Sequence, residues 1–345
     1  MRGRPGLGMF GAARLIVLGA LGALGALGAA CGSVGGTAGD AGTAGDAASP
    51  AGTTTEVAPY YYAYGWGNPS YAFSSLVDMK AKGGPAEVSI GFVLANAGCE
   101  VTTDLHDHLD DIRAYVAAGG HVRASFGGAT GTYLESSCGS AAELAATLGR
   151  FVDDTGITDL DFDLEQHATS SNPALNALRG AALKQLQDAK HARVSFTLPV
   201  APSGLLQESI DILQAAVSAG VELSIVNALA MDYGDGTDLH ATPIKSVEAV
   251  AQQLHAVLPS LSSDAVYRHL GVTPMIGKND DNETLSTDDA QALVDYVRQK
   301  RLGLVAFWAI QRDQVCPANA TLGLCSQLDT QTFEFNAIFE TAAAP

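Results

Sequence analysis

Eight short runs of apolar and aromatic residues recur along the chain, at about 58–64, 87–94, 121–126, 158–164, 192–198, 222–230, 269–276 and 303–309. Helical patterns lie between them. Between Asp104 and Ala118, Leu105, Leu109, Ile112 and Val116 recur at helical spacing. Ser140 with Glu143 reads as a capping box ahead of Leu144, Leu148 and Phe151. Segments 173–189, 205–219 and 247–258 are further helices, and Ser286 with Asp289 caps another. The first helix, 71–82, has the weakest pattern. Gly119, Gly156, Gly220 and Gly303 stand where helices should stop. Strand and helix alternating eight times over one domain predict an α/β fold, a (β/α)8 TIM barrel. An open doubly wound sheet is the competing arrangement. It lacks support here because no glycine-rich dinucleotide fingerprint follows the first strand, where Gly65-Trp66-Gly67 stands instead.

The fourth run, Thr158 to Glu165, alternates strictly. A strand has period two, so Asp161, Asp163 and Glu165 share one face and Leu160, Phe162 and Leu164 the other. In a barrel the apolar set packs under the helices. The acidic set points inward and climbs to the C-terminal rim, where barrel active sites form. Carboxylates about 6.6 Å apart in a poorly solvated interior cannot all ionise freely, so at least one holds or shares a proton. That arrangement keeps a Glu protonated near neutrality for use as an acid. An edge strand with a solvated acidic face is the alternative, and a mid-chain strand between two helices argues against it.

The N-terminus reads as an export signal over 1–30. Arg2, Arg4 and Arg14 precede an apolar run from Leu15 to Ala30. That run is shorter than the roughly 20 residues a spanning helix needs, and it carries glycines at 19, 22, 25 and 28. Leu27-Gly28-Ala29-Ala30-Cys31 resembles a bacterial lipoprotein cleavage box, with Cys31 as the lipidated residue, although Gly28 stands where Leu is usual. Ordinary cleavage after Ala30 is the alternative. The Gly/Ala/Thr-rich stretch 31–56 reads as a tether. The folded domain is placed at 57–340. With Cys31 set aside, Cys99, Cys138, Cys316 and Cys325 allow three pairings. The short loop between the last two favours Cys316–Cys325, leaving Cys99–Cys138. No zinc spacing is present, and His106-Asp107-His108 reads as polar helix surface rather than a metal site. The net charge is −18, with 19 basic and 37 acidic residues. Nucleic acid is therefore an unfavourable partner, and a membrane is reached only through the possible lipid anchor.

Asp161, Asp163 and Glu165 together resemble the DxxDxDxE motif of family 18 glycoside hydrolases, the chitinases and their relatives. Thr158 stands at the first Asp position. Ser125-Phe126-Gly127-Gly128 resembles the family's SxGG segment, and Met231-Asp232-Tyr233-Gly234 its MxY segment. Trp308 matches its tryptophan floor. Val194-Ser-Phe-Thr-Leu-Pro199 resembles the fifth strand of bacterial, secreted, single-domain members.

The resemblance implies hydrolysis of β-1,4-linked N-acetylglucosamine polymers, with retention and with the substrate's acetamido oxygen as nucleophile. Glu165 would be acid and then base. Asp163 would orient the acetamido N–H, Asp161 would set the protonation of Asp163, and Tyr233 would aim the acetamido oxygen. Trp308 would floor the −1 sugar site. Met231, Asp232, Ser125 and Trp66 join as wall, contact, support and further subsite. Arg312 and Asp313 are expected as a rim ion pair, and the acidic loop 279–283 as solvated. Only about 26 residues separate Ile276 from Gly303, which leaves no room for an α+β insertion domain and predicts an open, internally cleaving cleft on a monomer. No cofactor or metal is implied. The alternatives are a hydrolase of another N-acetylglucosamine glycan and a catalytically silent, glycan-binding barrel.

Overall fold

The computed structural model describes residues 54–96, 98–102 and 104–343. The export, lipidation and most of the tether readings, Cys31 among them, fall outside the described residues. The strands are β1 (Glu56–Val57), β2 (Tyr60–Tyr62), β3 (Glu87–Val93), β4 (His121–Gly127), β5 (Asp159–Asp163), β6 (Arg193–Ala201), β7 (Gly204–Leu205), β8 (Leu223–Leu229), β9 (Leu270–Thr273), β10 (Gly277–Lys278), β11 (Thr284–Leu285) and β12 (Leu304–Val305). The helices are α1 (Leu76–Ala81), α2 (Asp104–Asp107), α3 (Leu109–Ala117), α4 (Leu134–Ser137), α5 (Ala141–Thr155), α6 (His167–Ser170), α7 (Pro173–Lys190), α8 (Gln207–Ser218), α9 (Thr242–Val257), α10 (Ser263–Arg268), α11 (Thr287–Lys300) and α12 (Glu334–Glu340).

The main sheet runs β1-β12-β9-β8-β6-β5-β4-β3-β2, with every pair on that path parallel. It is a curled parallel sheet resembling a TIM-barrel core. β1 pairs with β12, and β2, three residues further along the chain, pairs with β3. Outward side chains such as Ile90, Ala124, Leu160, Phe162, Phe196 and Val226 join the helices in one large apolar core. Inward side chains form smaller layers: Ala58, Ile225 and Leu304 low in the sheet, then Tyr60, Tyr62 and Ala306 with Phe92 and Trp308 above. Layered inward packing of this kind fills a barrel rather than leaving a pore.

The caps follow the sequence with two exceptions. Ser286 and Asp289 form a reciprocal capping box on α11. On α5, Ser140 accepts from the Glu143 amide, but the Glu143 carboxylate turns to the Gly139 amide, so only half of the expected box exists. Gly156 ends α5 at φ 74°, whereas α11 ends on Arg301 in the left-handed region, ahead of Gly303. The helix expected over 104–118 is two helices, because His108 leaves helical geometry and stacks its ring on Trp66 at 4.4 Å. Cys99 bonds Cys138 and Cys316 bonds Cys325, with Cα separations of 4.6 and 5.4 Å. Between β9 and α11 the chain forms a small antiparallel hairpin, β10 with β11.

Candidate active site

The parallel register sets the site. On β5, Asp161 lies between Ser125 of β4 and Ser195 of β6, and Asp163 between Gly127 and Thr197. The alternation also continues one step below the predicted face. Asp159 points inward too, so the column is Asp159, Asp161, Asp163 and then Glu165.

Each carboxylate has a different environment. At the base, Asp159 meets Arg123 at 3.2 Å and Arg193 at 3.0 Å, and both guanidinium groups also reach Glu56, at 2.6 and 2.7 Å. Burial alone would raise the pKa of Asp159; the two arginines outweigh it and hold the group below its ordinary value. Asp161 is buried among hydroxyls: Ser195 donates to Oδ1 at 2.7 Å, Ser125 to Oδ2 at 2.8 Å and Thr197 to Oδ2 at 2.9 Å. Burial raises its pKa, while those hydroxyls and Arg123 oppose the rise. Asn227 on β8 donates to Thr197 Oγ1 at 3.0 Å and to Thr273 at 2.7 Å, fixing the hydroxyl cluster from the other side.

Asp163 is less well satisfied than Asp161. Its Oδ2 accepts from the Tyr60 hydroxyl at 3.1 Å, and its buried Oδ1 has no hydrogen-bond partner. Burial, the Glu165 charge and the Asp161 charge push its pKa well above the usual carboxylate range. The Tyr60 hydroxyl also lies 3.2 Å from Asp161 Oδ2. It has a single proton to give. Asp161 already receives three hydroxyl protons, so that proton serves Asp163 best. Burial and neighbouring charge nevertheless raise Asp163 further than Asp161.

Glu165 ends the column, half-buried at the rim. Its amide donates to the Tyr133 hydroxyl at 2.8 Å, the Gln166 amide does so at 3.0 Å, and Tyr133 donates in turn to the Gly128 carbonyl at 2.9 Å. Burial and then the Asp232 charge push Glu165 up to about 7. Gly127 and Gly128, at φ 114° and 91°, let β4 cross close to β5: a Cβ on Gly127 would meet the Asp163 carbonyl, and one on Gly128 the Phe92 ring. Trp308 packs against Tyr60 at 5.5 Å, Tyr62 at 4.9 Å and the stacked Phe92 at 5.5 Å. Its indole thus joins the acidic column through Tyr60.

The remaining expected residues divide. Asp232 lies at the exposed mouth, at φ 55°. Partial loss of hydration and then the Asp280 charge push its carboxyl up to about 6. Met231, half-buried, precedes it. Tyr233 departs from expectation. The chain turns at Asp232, and the Tyr233 hydroxyl pairs with Ser246 of α9 at 2.8 Å, on the helical side of the sheet. Trp66 also lies on that side. It packs on outward-facing Tyr61 at 4.9 Å, and its indole N–H donates to Asp111 at 2.7 Å. Asp111 in turn accepts from the Leu76 and Val77 amides at the start of α1, so Trp66 clamps α1 to α3.

Arg312 and Asp313 are buried and form no ion pair with each other. Arg312 donates to the carbonyls of Trp308, Leu322 and Lys278, and Asp313 accepts from the amides of Phe335 and Asn336 at the start of α12. The loop 279–283 is not simply solvated either. Asn279 and Glu283 are buried, Glu283 accepts from the Tyr233 amide at 2.6 Å, and the Asp280 amide donates to Asp232 at 2.9 Å. This hairpin holds the Asp232 turn.

No family model matches the chain. It is 31% identical over 237 residues to Endochitinase 11 of Metarhizium anisopliae, covering 64% of this chain and 45% of that protein. It is 33% identical over 218 residues to a probable bifunctional chitinase/lysozyme of Escherichia coli strain K12, covering 59% of this chain and 24% of that one. The chain thus spans less than half the length of either curated relative. Among solved structures, the catalytic domain of a hyperthermophilic chitinase from Pyrococcus furiosus superposes with a TM-score of 0.76 at 28% identity, covering 86% of this chain and 98% of that one. A family GH18 chitinase from Chromobacterium violaceum shares the fold at 17% identity, with a TM-score of 0.53 and coverage of 74% and 78%. By sequence similarity and by fold, the described domain resembles chitinase catalytic domains.

Proposed function

We propose that the chain hydrolyses β-1,4-linked N-acetylglucosamine chains, chitin and chitooligosaccharides, with retention of configuration. The observation that carries this reading is the graded column: Asp161 held by three hydroxyls, Asp163 with one unpartnered oxygen and a pKa pushed well above the carboxylate range, and a rim acid at Glu165 pushed up to about 7. Glu165 protonates the glycosidic oxygen as the bond to the anomeric carbon breaks. The acetamido oxygen of the same sugar attacks that carbon, giving an oxazolinium ion. Asp163 passes its proton to the Asp161 carboxylate and, now a carboxylate itself, accepts the acetamido N–H, balancing the positive charge. Glu165, now ionised, takes a proton from water, and that water opens the ring from the face the leaving group occupied.

Trp308 supplies the apolar floor for the sugar and the acetyl methyl. Asp232 raises Glu165 through its charge. Ser125 acts through Asp161. The connection between β9 and α11 is a short hairpin, which favours an open cleft and internal cleavage. Export over 1–30, lipidation at Cys31, a cell-envelope or secreted location and a monomeric state belong to the same proposal.

Purified protein incubated with chitotetraose and, separately, cellotetraose tests it. Cleavage of the first alone is expected, because only it carries the acetamido nucleophile. Equal cleavage of both contradicts the mechanism. Binding of chitotetraose without turnover makes the chain a silent glycan-binding barrel.

A further inference from the structure

Glu165 lies beyond the end of its own strand. β5 stops at Asp163, and the Leu164 amide still reaches the Thr197 carbonyl of β6 at 3.0 Å. The next two amides, of Glu165 and Gln166, turn to one oxygen instead. It is the hydroxyl of buried Tyr133, at 2.8 and 3.0 Å. That hydroxyl gives its own proton to the Gly128 carbonyl at 2.9 Å. Two accepted bonds and one donated bond fill its capacity. Where a neighbouring strand would fix the backbone under the rim acid, a single side chain does so.

The Tyr133 segment is itself tied from several sides. The Thr132 carbonyl accepts from the Ala95 amide at 2.8 Å, and the Gly131 carbonyl from the Gln166 side chain at 3.0 Å. Buried Glu135 on α4 accepts from buried Arg179 of α7 at 2.8 Å. Cys138, at the end of α4, is bonded to Cys99. Cys99 sits in a turn closed by Thr102 donating to the Leu94 carbonyl at 2.8 Å and Asn96 to the Glu100 carbonyl at 2.7 Å. Its own carbonyl accepts from Thr147 of α5 at 2.9 Å. A covalent tie between two loops thus ends one short helix away from Tyr133.

We propose that Tyr133 is a positioning residue for Glu165, and that the Cys99–Cys138 bond keeps its segment in register with β5. The inference rests on the chitinase reading. It adds that the reach of the proton donor is set by a strap from outside its own strand. A general acid must come within about 3 Å of the atom it protonates. A misplacement of about 1 Å can cost about a hundredfold in rate.

The test compares kcat/KM for chitotetraose and for 4-nitrophenyl chitobioside. The nitrophenolate departs readily without a proton, so its release leans little on Glu165 as an acid. The sugar leaving group of chitotetraose needs that proton. Tyr133→Phe keeps the ring and removes the hydroxyl. It should lower kcat/KM for chitotetraose by about tenfold or more and for the nitrophenyl substrate by less than about threefold. Cys99→Ala combined with Cys138→Ala should show the same split. Equal losses on both substrates, no loss, or a Tyr133→Phe protein that does not fold overturns the positioning role and leaves the chitinase reading intact. A disulfide-free protein that cleaves both substrates as the parent does, or that does not fold, overturns the part given to the bond. A parent protein that cleaves neither substrate overturns the chitinase reading and the inference with it.

Discussion

Asp161 and Asp163 lie two positions apart on one strand and in opposite chemical surroundings. Three hydroxyls surround the first, whereas one shared tyrosine and an unpartnered oxygen mark the second. Glu165 above them must be protonated to act as an acid, so kcat/KM should fall as pH rises through about 7, the value its burial and Asp232 set. Asp232→Asn removes the negative charge that raises Glu165, so the alkaline limb should move to lower pH. A pH–rate profile of the two proteins reads this, and an unmoved or upward-moved limb contradicts it. Glu165→Gln should lower kcat by about 10²- to 10⁴-fold, the usual range for a lost general acid–base group. The acids of this column were legible in the sequence because period two needs no tertiary knowledge. Asp159 was equally legible by that rule, since the alternation runs through it. Tyr60 was not: three consecutive tyrosines reveal an aromatic strand but not which ring meets the carboxylates. Tyr133 gave no signal, because its role is to gather the backbone amides of residues about thirty positions away.

At the scale of elements, β4, β5 and β6 carry an ionic layer beneath the site. Arg123 is buried, bonds Asp159 and Glu56, and leaves Nε and Nη1 without hydrogen-bond partners. Arg123→Met leaves Asp159 with the half-exposed Arg193 and, at 3.9 Å, His121, and such a loss should destabilise the fold by about 3–5 kcal/mol. Combining it with Asp159→Asn removes the stranded charge and should recover part of that loss. Urea unfolding of the single and double variants measures both; a double variant less stable than the sum of its parts refutes the layer as a compensated unit. The strand runs and most helices were readable because each has its own apolar period and its own caps. The failures lie where two elements share one residue. His108 breaks the helix at 104–118 by stacking on Trp66, and the β10–β11 hairpin takes up the loop expected to be solvated. Arg312 and Asp313 are neighbours in sequence but serve different carbonyls and amides, which charge patterning alone cannot separate.

For the molecule as a whole, several buried acids have pKa values raised above their unfolded values of about 4. They are Asp161, Asp163, Glu165 at about 7 and Asp313 at about 7. A raised carboxyl binds its proton more tightly in the folded state, so each lowers stability as pH climbs from about 4 through its folded value. Self-repulsion at a net charge of −18 acts in the same direction. Asp159, held low by its arginines, contributes stability that is lost only as pH falls below about 4. The melting temperature should therefore be higher at pH 5 than at pH 8, and a thermal scan showing the reverse would mean that these groups are not buried as described. The (β/α)8 expectation anticipated the curled parallel sheet because a sum of local patterns reports topology well. The turn of Tyr233 toward α9 is a product of packing, and no local pattern carries it. The account as a whole stands on chemistry at one anomeric carbon. Chitotetraose hydrolysis followed by proton NMR in its first minutes reads the configuration of the new reducing end directly. The β anomer appearing first, and vanishing in the Glu165→Gln protein, is the predicted result; an α anomer appearing first would contradict the retaining, acetamido-assisted mechanism.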